Sequence, residues 1–217
     1  MRREMEKVLT KSLHVTRVVF VEAGKHVRPI ELRATLREEI ATMKDQVDVI
    51  LLGYGACQSL EGIEKEFDIP IIHPEENDCI AILFTQERYN AEIAKNPGTW
   101  FMTPGWAELG PDMILNELGL LHHAEKRGIN KKEVIKELFD GYSRGLYIDT
   151  GVDESGMFEE MAEMSCVLFN LKLEKVVSDS TVLEDSLEKA EGLLMRDKSN
   201  RTIRIEKYSV AKKDNKK

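Results

Sequence analysis

The stretch Val47-Asp48-Val49-Ile50-Leu51-Leu52-Gly53-Tyr54-Gly55-Ala56-Cys57 decides the fold class. Its first six residues are aliphatic except for Asp48, and they stop at a pair of glycines. A short apolar run bounded by glycine fits a strand buried on both faces, as in a parallel sheet, whereas a strand with one wet face alternates. Immediately upstream, Pro29 opens a segment in which Leu32, Leu36, Ile40 and Met43 recur at helical spacing, and proline suits the first turn of a helix. Before that, residues 15–21 are again β-branched and predict a strand, followed by a polar loop over residues 22–28. Strand, helix and strand with a crossover this long predict parallel pairing.

The pattern continues downstream. Strands are expected at residues 69–72 and 99–102, with a helix over residues 78–93 between them and a turn at Asn96-Pro97-Gly98. Thr103-Pro104-Gly105-Trp106 reads as a tight loop, followed by a helix over residues 112–127. Asn130 and Glu133 have capping-box spacing at the start of the next helix, which closes at Gly141. Residues 145–149 and 171–176 read as strands, and residues 155–169 and 181–194 as helices. The alternation implies an α/β fold with a doubly wound, mostly parallel sheet and helices on both faces, a three-layer, Rossmann-like arrangement. Residues 1–200 are expected to form one α/β domain, and residues 201–217 a weakly alternating edge strand with a basic C-terminal tail. The first segment, with Met5, Val8, Leu9 and Leu13 in helical phase, places a helix ahead of the first strand. Since such units more often begin with a strand, an upstream strand is expected outside this numbering.

Composition narrows the function classes. A formal net charge of −8 over 217 residues argues against broad nucleic-acid binding, which needs a concentrated basic surface. No apolar run approaches the length of a membrane span, and residues 1–9 carry no apolar core or cleavage site of an export signal, so a cytoplasmic location is expected. In that compartment three cysteines do not make a disulfide framework, and each must be core filler, reactive thiol or metal ligand.

In an open parallel sheet the ligand site lies beyond the carboxyl ends of the strands, near a switch in strand order. Three loops fall there: residues 53–62, 73–79 and 103–106. Gly53 and Gly55 are expected to permit unusual dihedrals and close approach of a ligand, with Tyr54 between them and Trp106 lining the crevice. The dinucleotide fingerprint fails because Gln58 stands where a third glycine is required. Cys57 follows the first of these strands and Cys79 the next. With Asp78 as N-cap, Cys79 lies in the first turn of a helix, where the dipole favours a thiolate. His73 follows Ile71-Ile72 and is a ligand or acid–base candidate. His122 and His123 diverge on one helix, His26 has no evident partner, and Cys166 falls on an apolar stripe with Phe158 and Met161.

Gly53-Tyr54-Gly55-Ala56-Cys57, Asn77-Asp78-Cys79-Ile80, Pro97-Gly98-Thr99 and Thr103-Pro104-Gly105-Trp106, in that order and spacing, resemble the domain-of-unknown-function family 1638. The resemblance covers residues 28–106 and is looser after Gly110. It implies an α/β protein that accompanies corrinoid-dependent methyl transfer or one-carbon metabolism, with a corrinoid protein or methyltransferase as partner. It also implies an opening strand with an Ala-Cys-Glu step, which this chain lacks, and a histidine where Asn77 stands.

Together these features support a metal-binding accessory protein, with Cys57 and Cys79 as thiolate ligands and His73 or Asp78 as a further ligand. Soft sulfur donors select zinc or an iron–sulfur cluster. Three cysteines from three strand ends would hold a cluster with one open iron, whereas two favour zinc or a site completed by another subunit, so a homo-oligomer is compatible. The alternatives are a metal-free docking or chaperone module for a corrinoid protein or methyltransferase, and a thiol enzyme with His73 as base.

Overall fold

The computed structural model describes residues 1–22, 25, 28–178 and 180–196. Helix α1 (Arg2–Leu9) is followed, after residues without regular structure, by α2 (Pro29–Met43), β1 (Ile50–Leu51), a 3-10 turn (Ile63–Lys65) and β2 (Ile71–Ile72). Next come α3 (Cys79–Phe84), α4 (Gln86–Lys95), β3 (Thr99–Met102), α5 (Pro104–Glu117), α6 (Leu120–Arg127) and α7 (Lys131–Leu138). The described part closes with β4 (Arg144–Asp149), α8 (Met157–Leu168), β5 (Lys172–Val177) and α9 (Thr181–Arg196). All strand pairs among the described residues are parallel, and helices flank them, so the chain is an α/β protein.

Among the described residues the strands lie in two sheets instead of one. β1 pairs with β2, and β3, β4 and β5 pair in sequence order. Neither sheet shows the reversal of order that marks a switch point. The three-stranded sheet holds the better-packed core. Central strand β4 is buried from Arg144 to Ile148, and Met102, Tyr147, Phe158, Cys166 and Phe169 pack into one cluster with it. Cys166 is 1% exposed, and a Cβ on Gly145 would collide with its sulfur, so that glycine makes room for the α8 side chain. Core packing is therefore the role of Cys166. A second cluster joins Leu32, Leu36 and Ile40 of α2 to Ile50 and Ile71, and a third joins Val8, Ile82 and Leu83 to Leu183 and Leu187 of α9.

Several boundaries depart from the sequence reading. Residues 15–21 form no strand, and Val15, Val18 and Val19 remain 37%, 46% and 37% exposed. A strand exists only through its ladder, and no backbone partner lies beside these residues among those described. The helix expected over residues 78–93 is two helices broken at Thr85, whose φ of 66° cannot continue a right-handed turn. Thr103-Pro104-Gly105-Trp106 is no loop: Thr103 accepts the Trp106 amide as N-cap, and Pro104 opens α5. The Asn130–Glu133 capping box is present in both directions. The expected edge strand and tail over residues 201–217, and His26, lie outside the described residues.

Candidate functional site

The loops leaving β1 and β2 run side by side because the two strands are parallel neighbours. The Ala56 amide donates to the Glu76 carbonyl at 2.7 Å, tying one loop to the other. A Cβ on Gly55 would stand 2.5 Å from that carbonyl oxygen, so this position requires glycine. The physical reason differs from the expected one. Neither Gly53 nor Gly55 has a positive φ, and Gly55 admits the neighbouring backbone, not a ligand. Gly53 in turn faces the end of the Met5 side chain on α1.

This juxtaposition places Cys57 and Cys79 on adjacent loops, within electrostatic range of each other and of Tyr54. Both are half-buried, and each thiolate lies close enough to Tyr54 to push its hydroxyl pKa up, with burial as the larger cause. The Cys79 thiol is itself raised, first by burial, then by the charges of Asp78 and Cys57, while a hydrogen bond from the Gly55 amide works in the opposite direction. The expected thiolate at a helix start is thus corrected. Asp78 is the N-cap, accepting the Ile80 amide at 2.7 Å, but α3 has six residues, and so short a row of peptide dipoles does not overcome desolvation. Burial thus opposes the thiolate that the helix start favours at Cys79.

His73 directly follows β2, and its Nδ1 lies 2.8 Å from the Pro74 carbonyl oxygen. A carbonyl only accepts, so in the neutral ring Nδ1 carries the proton and Nε2 keeps its lone pair, the tautomer a metal or a base requires. Among the described residues, no set of three or more His, Cys, Asp and Glu side chains converges as an ion site. The described residues therefore offer two thiols on adjacent loops without a complete ligand set.

Beside the pair opens a cavity of about 1400 Å³. Gly53, Tyr54, Cys79 and Trp106 line it, whereas Cys57, Gly55, His73 and Asp78 do not. Trp106 stands 6.5 Å from Trp100, centroid to centroid, so it joins the cavity wall to the aromatic cluster of Phe139 and Tyr142. Much of the remaining wall comes from α1, residues 12–22, α2, residues 44–52 and α9, with further residues of α3 and α5. Sequence reasoning missed this participation of α1 and α9. Met5 and Leu187 carry only the ordinary signal of an amphipathic helix, which does not say which partner a face meets.

No helix among the described residues is long and apolar enough to cross a membrane. No curated protein and no solved structure matches the chain. The family described as Protein of unknown function (DUF1638) matches residues 20–187, which include both cysteine loops and most of the cavity wall, and the chain belongs to that family.

Proposed function

We propose that Cys57 and Cys79 form a two-thiolate half-site for a thiophilic metal, zinc or an iron–sulfur cluster, in an accessory protein of corrinoid-dependent methyl transfer or one-carbon metabolism. The observation that supports the metal reading is the placement of two thiols on neighbouring strand-end loops, locked by the Gly55 contact and the Ala56–Glu76 hydrogen bond. The raised Cys79 thiol favours ligation over nucleophilic catalysis, because a resting protonated thiol attacks poorly whereas a metal displaces the proton as it binds. His73 is the further ligand nearest in chain, with Nε2 free of the Pro74 contact, and Asp78 retains one carboxylate oxygen beyond its capping bond. The rest of the coordination would come from a partner, a corrinoid protein or methyltransferase, or from a second copy. The methyl-transfer setting rests on the family resemblance alone.

The experiment is anaerobic purification with elemental analysis and a visible absorption spectrum for wild type, Cys57→Ser and Cys79→Ser, beside far-UV circular dichroism. Serine keeps the size but replaces a soft thiolate by a hard hydroxyl, so each variant should lose the metal while keeping the α/β spectrum. Affinity should rise with pH, since Cys79 must release a proton. A metal-free wild type, or full occupancy in both variants, sinks this reading.

A second reading is favoured by the cavity. A metal-free docking module needs an open concave surface, and the space beside β1 provides one.

A further inference from the structure

Helix α8 packs on α5, β4 and β5, and its buried side carries Phe158, Ala162, Ser165 and Cys166. About a third of a turn around the same helix lies a second apolar face. Met157, Met164 and Leu168 are 44%, 63% and 43% exposed, half-buried Met161 stands among them, and Val167 beside them is 74% exposed. Single exposed apolar side chains are ordinary, but a contiguous set of large ones along one helix marks a surface that another body covers. Neither the cavity nor the thiol loops use this face.

Three of its properties specify the occupant. The first is spacing. Positions 157, 161, 164 and 168 advance by four, three and four residues, the period at which two α-helices interlock their side chains, whereas an extended strand has a period of two. The second is size. At about 1.5 Å per residue the face runs roughly 17 Å along α8, and it exposes on the order of 400 Å², about half of what each partner buries in a stable dimer. That is the footprint of one short helix. The third is charge. Helix α8 has no Lys or Arg, and exposed Glu160 and Glu163 flank the face without an ion pair among the described residues, while Glu159 is engaged by Lys175 on the far side. A second copy of α8 would set these carboxylates against each other, and an anionic lipid surface would be repelled by them. A helix with Lys or Arg beside its apolar seam is attracted.

We propose that the face of α8 from Met157 to Leu168 docks one basic amphipathic helix of a partner protein. The apolar seam lies against Met157, Met161, Met164 and Leu168, whose unbranched thioethers adapt to the facing side chains, and the basic flank meets Glu160 and Glu163.

The probe is a fluorophore-labelled synthetic amphipathic peptide of Leu and Lys, about 14 residues or four helical turns long, titrated with the full chain and followed by anisotropy. Its counterpart carries Glu in place of every Lys. The Lys peptide should bind at least about tenfold more tightly than the Glu peptide. Met164→Ser/Val167→Ser, at exposed positions, should keep the far-UV circular dichroism and weaken the Lys peptide about tenfold, and Glu160→Gln/Glu163→Gln should weaken it about threefold, as added salt should in wild type. The methyl resonances of Met157, Met161 and Met164 should shift on binding, with fully buried Met102 unmoved. Equal affinity for the two peptides, or equal affinity in wild type and the serine variant, overturns the proposal. A concentration-dependent dimer that the serine variant abolishes assigns the face to a second copy, and uptake by phosphatidylcholine–phosphatidylglycerol vesicles that it abolishes assigns the face to a membrane; either result overturns it as well.

Discussion

The two sheets of this protein are built from similar residues and end in different states. β4 runs six residues between two partners, with Leu146, Tyr147 and Ile148 at 1%, 0% and 0% exposure. β1, from an equally aliphatic stretch, is a ladder of two residues with one partner among the described residues. Strand length here follows the number of neighbours, because each additional ladder pairs backbone groups that are costly to leave unpaired away from water. The candidate site sits at the two-stranded sheet, where the strand ends place the Cys79 thiol and the Tyr54 ring beside a cavity.

The contrast can be broken by making one substitution in each sheet. Leu146→Ala should cost about 3 kcal/mol, the usual range for truncating a fully buried leucine, whereas Leu51→Ala, half-buried beside the cavity, should cost about 1 kcal/mol. Urea unfolding of both variants measures the difference, and equal costs would show that the β1 region is as tightly packed as β4.

The order of the second sheet can be probed by pH. Asp153 accepts the Glu159 amide at 2.9 Å and the Tyr147 hydroxyl at 3.1 Å, joining β4 to the start of α8. Burial acts to raise its carboxyl, but the hydrogen bonds from the first α8 amides and Tyr147 prevail, and its pKa lies below the usual range. A carboxyl depressed in the folded state adds stability that is complete above its ordinary pKa of about 3.9 and is lost as pH falls through the lower folded value. Asp153→Ala should cost about 1 to 2 kcal/mol near neutrality and flatten this part of the acid unfolding curve. An unchanged acid limb would remove Asp153 from the account.

The smallest effect separates the third cysteine from the other two. Burial, with the nearby Glu163 charge, pushes the Cys166 thiol up to about 11, and its sulfur sits against Gly145 in the core. Cys166→Ala should cost about 1 kcal/mol and leave bound metal untouched. Loss of metal from a variant that still folds would place Cys166 in the site.

Much of the architecture was legible because it is local. Pro29, Thr103-Pro104 and Asn130 with Glu133 act through their own first helical turns, and β3 matches its expected bounds. Even there, the Thr103 tetrapeptide read as a loop, because proline and glycine punctuate turns and helix starts alike. The break at Thr85 was not legible, since threonine rarely takes a positive φ and nothing in its neighbours announces one. Of the candidate site, the adjacency of the loops that carry Cys57 and Cys79 followed from the expectation that successive strands lie side by side, but the upward shift of the Cys79 thiol did not. Burial is a property of everything that packs around a residue, and it outweighed the short helix.

The sequence by itself determined the alternation of helix and strand, the parallel sense of pairing and the positions of the cysteines at strand ends, because periodicity, caps and crossover length are written in consecutive residues. Only the tertiary structure decided that the strands divide into two sheets, that Gly55 serves a neighbouring loop, and that residues 15–21 face a cavity without a ladder. Those outcomes depend on which distant segment supplies a hydrogen-bond partner or a packing surface, and a strand of β-branched residues carries no record of its neighbour.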